Sequence, residues 1–144
     1  MIQGAFPLSF VLHRLAIEEG VQVVVSNTAE HDGLQQLMQE LQIAYHRPGG
    51  GTVDFAVPTV DTLDEGAALL HEAISTRGDT CYVHCKAGKG RATCMVIAYL
   101  TKYRKMSPLD AQATVMAARP QASYVIDRPG MRAFFDKNAI DCSP

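Results

Sequence analysis

Between a run of strand-forming residues and a stretch of helical character lies YVHCKAGKGRATC, Tyr82 to Cys94, where five residues separate one cysteine from one arginine. Successive N–H groups of a tight loop such as Lys86, Ala87, Gly88, Lys89 and Gly90 can converge on one anion. A helix starting at the end of the loop adds its positive pole, so the segment reads as a cradle for a phosphate-sized dianion. Gly88 and Gly90 would allow the curvature. The same amides, the helix dipole and Arg91 would favour the thiolate of Cys85 over a free thiol of pKa about 8.5, which makes Cys85 a nucleophile. Arg91 offers a planar fork for two phosphoryl oxygens, a grip that tightens as charge redistributes in the transition state. Lysine lacks that geometry.

Other chemistries fit less well. No G-x4-G-K-[ST] string occurs and Lys89 is followed by Gly90 rather than a hydroxyl, which excludes a Walker-type nucleotide loop. A zinc site built from Cys81, His84, Cys85 and Cys94 is disfavoured because strand alternation turns His84 away from Cys81 and Cys85. His84 then has two readings, a side chain that orders the loop and tunes the thiolate, or a core histidine. No metal or organic cofactor is implied. Lys86 and Lys89 suit an anionic substrate, a second phosphate or a phospholipid headgroup, against the plainer reading of solvated loop lysines. Arg119 and Arg128 either add to the pocket rim or punctuate helix ends. Cys81 and Cys94 are both candidates to form a protective disulfide with oxidised Cys85, against the default of buried structural cysteine.

The elements that must position this loop are those of an α/β layered fold. VQVVVS (Val21 to Ser26) and TCYVH (Thr80 to His84) read as buried strands, IAYHR (Ile43 to Arg47) as a third, and Met1 to Gly4 as the stub of an edge strand. Helical stripes run through Leu8, Val11, Leu12 and Leu15, through Leu34, Leu37, Met38 and Leu41, and through Leu63, Ala67, Leu70 and Ile74, all expected to be core. After the loop, Ala92 to Tyr103 is apolar nearly all round, a central buried helix aimed at the loop. Ser107, Pro108 and Asp110 predict the cap, first-turn proline and capping-box acid of another helix. A last helix carries Met131, Phe134 and Phe135 inward. The expectation is one domain over 1–144 with a central, mostly parallel sheet of about four or five strands flanked by helices, and with Cys85 at the carboxyl end of a strand, where such sheets bind ligands.

Composition agrees with a single globule: 144 residues, 47% hydrophobic, and 13 Lys+Arg against 15 Asp+Glu for a formal charge of −2. That balance argues against nucleic acid as a partner and leaves room for a local basic pocket. Four cysteines without a signal-like start point to a reducing compartment. No run approaches the roughly 18 apolar residues of a membrane span. The expected location is cytoplasmic, or mitochondrial where a targeting segment precedes these residues, and peripheral membrane contact is compatible with both.

HCKAGKGR resembles the H-C-x5-R signature of cysteine-dependent protein tyrosine and dual-specificity phosphatases, and CKAGKGR is similar to the loop of phosphoinositide 3-phosphatases. Through GAFPL, TVDFAVPTVDTLDEG, YVHCKAGKGRATCMVIAYL and SYVIDRPGMRAFF, most of the chain is similar to the small dual-specificity branch that includes a mitochondrial phosphatidylglycerophosphate phosphatase. The resemblance implies a cysteinyl-phosphate mechanism and a general-acid aspartate on a loop roughly thirty residues before the cysteine. Asp54, just after the polar and flexible-looking PGGG, fits. Asp61 and Asp64 are rivals, but both stand where helix capping and dipole effects explain an acid. One departure stands out. The family usually has Ser or Thr after the arginine to help the thiolate leave the phosphoenzyme. Here that residue is Ala92, and Thr93 is rotated about 100° further around the helix. Slow phosphoenzyme breakdown is the expectation.

The implied substrate is a phosphorylated molecule, an anionic phospholipid such as phosphatidylglycerophosphate or a phosphoinositide. The alternatives are a phosphotyrosine or phosphothreonine protein, or a weakly active phosphoanion-binding module favoured by Ala92. A rhodanese-like sulfur transferase would not call for Asp54.

Overall fold

A computed structural model describes Met1–Pro144. Four strands, β1 (Ile2–Gly4), β2 (Val21–Ser26), β3 (Ala44–His46) and β4 (Thr80–His84), form one parallel sheet in the order β1-β4-β2-β3. Six helices surround it: α1 (Ser9–Ile17), α2 (Gln35–Glu40), α3 (Val60–His71), α4 (Arg91–Tyr103), α5 (Pro108–Ala118) and α6 (Pro129–Lys137). β4 is interior to the sheet, which is why TCYVH carries no charge: a strand covered on both faces must be apolar throughout. The short β1, an edge strand as expected, shields its outer side.

Strand alternation is broken once. Val21 pairs with Thr80 but Val23 pairs with Cys81, so β2 holds one extra residue, Gln22, whose side-chain oxygen accepts the Thr80 N–H at 3.2 Å. This bulge turns Val21 and Val24 to one face of the sheet and Val23 and Val25 to the other. The larger core lies on the second face, where Cys81, Val83 and Cys85 meet α3, α4, α5 and α6; the smaller one joins Leu12, Leu15, Met38 and Tyr82.

Helix α4 is buried from Arg91 to Tyr99, as its all-round apolar sequence predicts. Ser107 caps α5 by accepting the Asp110 N–H at 3.1 Å, and Met131, Phe134 and Phe135 of α6 are buried. The first stripe needs correction: Leu8 lies outside α1 and is 58% exposed, because the helix begins only at Ser9.

Candidate active site

Cys85 leaves the carboxyl end of β4, and the loop that follows ends where Arg91 opens α4. The conformation of that loop follows from its carbonyls, each of which is held by a donor outside the cradle. Cys85 O accepts from His84 Nδ1 at 3.2 Å, Lys86 O from Phe6 N–H at 3.0 Å, and Ala87 O from Arg119 Nη2 at 3.0 Å. Gly88 O accepts from Arg119 Nε at 2.9 Å and from Gln3 Nε2 at 3.0 Å; Lys89 O accepts from Ser123 N–H and Thr93 Oγ1, both at 2.7 Å. The N–H groups of Lys86, Ala87, Gly88, Lys89 and Gly90 take no acceptor from the fold, leaving them for a bound anion.

The two loop glycines differ. Gly88 has φ +69°, and a Cβ there would lie 2.3 Å from Gly4 C and O, so the close approach of loop and β1 requires glycine. Gly90 has φ −110° and its nearest prospective neighbour is Arg128 Nη1 at 3.7 Å, so the curvature does not depend on it.

Arg91 is 3% exposed, and both of its terminal nitrogens are engaged. Glu30 grips it with both oxygens, Oε2 to Nη1 and Oε1 to Nη2, each at 2.8 Å; Nη1 also donates to Thr52 O at 2.7 Å and Nη2 to Asp54 Oδ1 at 3.0 Å. The bidentate bond from Arg91 holds the Glu30 carboxyl down at about 2, against the opposing effect of burial.

Asp54 is positioned by Thr52, whose N–H donates to Asn27 O at 3.1 Å and whose carbonyl accepts Ala29 N–H at 3.2 Å. The preceding PGGG is not the free polar loop that its composition suggests. A Cβ on Gly51, at φ +86°, would meet Thr28 O at 2.2 Å, and Gly49 N–H is held by Glu65 Oε2 at 3.0 Å. Gly50 and the tip, Val53 to Phe55, are exposed.

A cavity of about 200 Å³ is bounded by Asp54, Cys85, Lys89, Arg91 and Ser123. Lys89 therefore faces the site; Lys86 is exposed but does not border the cavity. A roomier hollow of about 320 Å³ behind the loop, walled by Gln3, Val96, Leu100, Val115 and Arg119, contains no cysteine, unlike the smaller one. Arg119 acts from behind the loop rather than on the rim, its guanidinium spent on two carbonyls.

His84 is fully buried on the face away from Cys85, edge-on to Phe6 and stacked on Tyr82. Burial pulls its pKa down to about 4, so the ring is neutral, and an accepting Cys85 carbonyl requires the proton on Nδ1. Thr93 cannot stand in for a hydroxyl at position 92. Its Oγ1 donates to Lys89 O and accepts from Gln3 Nε2 at 2.8 Å, while Ala92 packs fully buried in the same cluster as Cys85. The rival acids are elsewhere: Asp64 binds Lys102 and Lys137, both at 2.8 Å, and Asp61 binds Lys137 at 3.1 Å. Cys81 lies on β4 about 13 Å along the strand from Cys85, too far for a disulfide; Cys94, buried on α4, shares a core cluster with Cys85.

Glu30, Thr52, Gln3 and the loop-facing role of Arg119 were not apparent in the sequence. The one available signal for Glu30 was an acid four residues beyond β2, meaningful only once β2 is known to adjoin β4.

The family model described as dual specificity phosphatase, catalytic domain, matches residues 11–127. The human phosphatidylglycerophosphatase and protein-tyrosine phosphatase 1 is 33% identical over 138 residues, covering 90% of this chain and 65% of that protein, so this chain spans just under two thirds of its length. An Arabidopsis thaliana relative, phosphatidylglycerophosphate phosphatase PTPMT1, is 39% identical over 64 residues, which is 44% of this chain and 19% of that one. Among solved structures, PTPMT1 in complex with PI(5)P superposes with a TM-score of 0.80 at 28% identity, covering 94% of this chain and 86% of that chain.

Proposed function

The chain belongs to the dual specificity phosphatase catalytic-domain family, and on that premise we propose that it hydrolyses a phosphate monoester through a cysteinyl-phosphate, with an anionic phospholipid as substrate. The observation that carries this reading is the loop itself: a nucleophile and an arginine at its two ends, all carbonyls from Cys85 to Lys89 drawn outward, and five free amides between them.

The steps follow from the geometry. The phosphoryl group enters the cradle and takes Arg91 Nη2, displacing Asp54 Oδ1 from that contact. The Cys85 thiolate attacks phosphorus as the P–O bond to the leaving alcohol breaks, and protonated Asp54 gives its proton to that oxygen. Asp54, now a carboxylate, takes a proton from water, whose oxygen attacks phosphorus. The S–P bond breaks, inorganic phosphate leaves and the thiolate returns. Acid–base assistance of this kind contributes roughly 10²- to 10⁴-fold. Glu30 keeps the arginine fork oriented throughout.

Support for a phospholipid comes from Lys89 beside the cavity and from the relatives named for phosphatidylglycerophosphate. No helix is long and apolar enough to cross a membrane. Phosphate release by wild type and Cys85→Ser from phosphatidylglycerophosphate, a phosphoinositide set, and phosphotyrosine and phosphothreonine peptides tests the reading. Cys85-dependent release strongest from a lipid supports it; release strongest from a peptide replaces the substrate class. A second reading, a weakly active phosphoanion-binding module, draws on Ala92 and the committed Thr93 hydroxyl, and tight binding without release would favour it.

A further inference from the structure

We propose that the tip of the Asp54 loop is a membrane-docking element, with Val53 and Phe55 entering the surface of an anionic phospholipid bilayer while Lys86 and Lys89 face its headgroups. The proposal rests on the phospholipid reading above and specifies how that substrate is approached.

Phe55 is the main observation. Its ring is 98% exposed, and its backbone has φ +64°, the left-handed region that bulky residues disfavour. The fold gains little packing from the ring, which borders the mouth of the Asp54–Cys85 cavity, and the left-handed backbone sets the Phe55 N–H on Asp54 Oδ1 at 3.1 Å, so the ring is carried at the site's rim. Val53, on the other side of Asp54, is 64% exposed. Ser123 borders the same cavity and is tied to Lys89 O, and Tyr124 beside it is 50% exposed. Leu8 and Phe10, exposed at 58% and 61%, follow β1 at the same end of the sheet. Five of the nine exposed large apolar residues thus lie on segments that leave the carboxyl ends of strands or border the phosphate loop.

The occupant follows from the dimensions and charge of the site. A cavity of about 200 Å³ takes a phosphate headgroup but not long acyl chains. A long-chain substrate must therefore remain in its bilayer while its phosphate reaches Cys85, which brings the cavity mouth to the headgroup plane. Apolar tips flanked by lysines suit that plane. A second copy docked on the same patch would instead oppose two pairs of lysines.

The chain has no tryptophan, so Phe55→Trp gives a single emission. Blue-shifted, stronger emission is expected on adding phosphatidylcholine vesicles that contain phosphatidylglycerol. Val53→Ser combined with Phe55→Asn, whose asparagine suits the left-handed backbone, should weaken co-sedimentation with those vesicles about tenfold or more, with thermal stability retained, whereas Phe55→Leu should keep most of the binding. Unshifted emission, or equal sedimentation of the double variant and wild type, overturns the proposal. A blue shift that tracks protein concentration without vesicles also overturns it, by assigning the patch to a second copy. Cys85-dependent phosphate release from phosphatidylglycerophosphate in the same vesicles separates the two claims. Phe55-dependent binding without release from phosphatidylglycerophosphate or from a phosphoinositide set in those vesicles sinks the substrate reading and leaves the docking surface standing; release without Phe55-dependent binding does the reverse.

Discussion

Asp54 Oδ1 accepts a hydrogen bond of 3.0 Å from Arg91 Nη2, the same nitrogen that Glu30 Oε1 holds at 2.8 Å from another side. The group read as the general acid and the group read as the phosphate grip are thus in contact before substrate arrives, and a phosphoryl oxygen that claims Nη2 releases Asp54 toward the leaving group. Asp54→Asn should lower kcat by roughly 10²- to 10⁴-fold on alkyl phosphates such as phosphatidylglycerophosphate. The loss should be small on an aryl phosphate whose leaving group needs no proton. Steady-state kinetics on both substrates checks this, and an equal loss on the two would remove Asp54 from the acid role.

Glu30→Gln leaves one good acceptor where Arg91 had two. The fork should wander, with kcat reduced on the order of ten- to a hundredfold, since small misplacements of a transition-state group are costly. Turnover within twofold of wild type would show that Thr52 O and the loop alone orient Arg91.

The same pair gives a pH dependence. Folding lowers the Glu30 pKa from 4.5 to about 2, so the folded chain binds this proton less readily than the unfolded one. Its contribution to stability is complete above about 4.5 and is lost as pH falls through about 2. Because Glu30 is partly exposed, the contribution is modest. Thermal melts of wild type and Glu30→Gln should therefore differ most near neutral pH and converge as pH falls toward 2; a constant gap across that range would assign the effect to packing.

That Cys85, Arg91 and Asp54 border one cavity is legible in the sequence, the first two through a short spacing and the third only through the family resemblance. The capping set of Ser107, Pro108 and Asp110 is equally local. Glu30 and Gln3 are not legible, since their partners Arg91 and Gly88 lie 61 and 85 residues away and meet them only through the order β1-β4-β2-β3. Composition misleads at PGGG, where two of the three glycines, Gly49 and Gly51, serve close packing against Thr62 and Thr28. The Gln22 bulge is likewise invisible, because it depends on the register of β2 against β4.

Gly88→Ala should abolish turnover and lower Tm, because the left-handed backbone disfavours a Cβ by roughly 1–2 kcal/mol and the main chain of Gly4 occupies its place. Gly90→Ala should fold normally. A Gly88→Ala protein with wild-type melting and activity would mean that loop and β1 separate easily.

Arg119→Ala removes donors to Ala87 O and Gly88 O without touching the cavity. The loop amides should lose their convergence, raising the inhibition constant of inorganic phosphate and lowering kcat about tenfold, with partial recovery in Arg119→Lys. If Tm falls while phosphate affinity and kcat hold, Arg119 supports the fold and not the cradle.

Ala92 bears on the second half of the reaction. A hydroxyl there would sit in the first turn of α4, in the cluster that contains Cys85, and could hydrogen-bond the departing thiolate; Thr93 cannot, with its oxygen held between Lys89 O and Gln3. Hydrolysis of the cysteinyl-phosphate should then limit the wild-type rate. Rapid mixing should show a burst of leaving group close to one per active site, followed by slow turnover. Ala92→Ser should shrink the burst and raise the steady rate. Absence of a burst together with unchanged turnover in Ala92→Ser would place the slow step earlier, at attack by Cys85 or at displacement of Asp54 from Arg91.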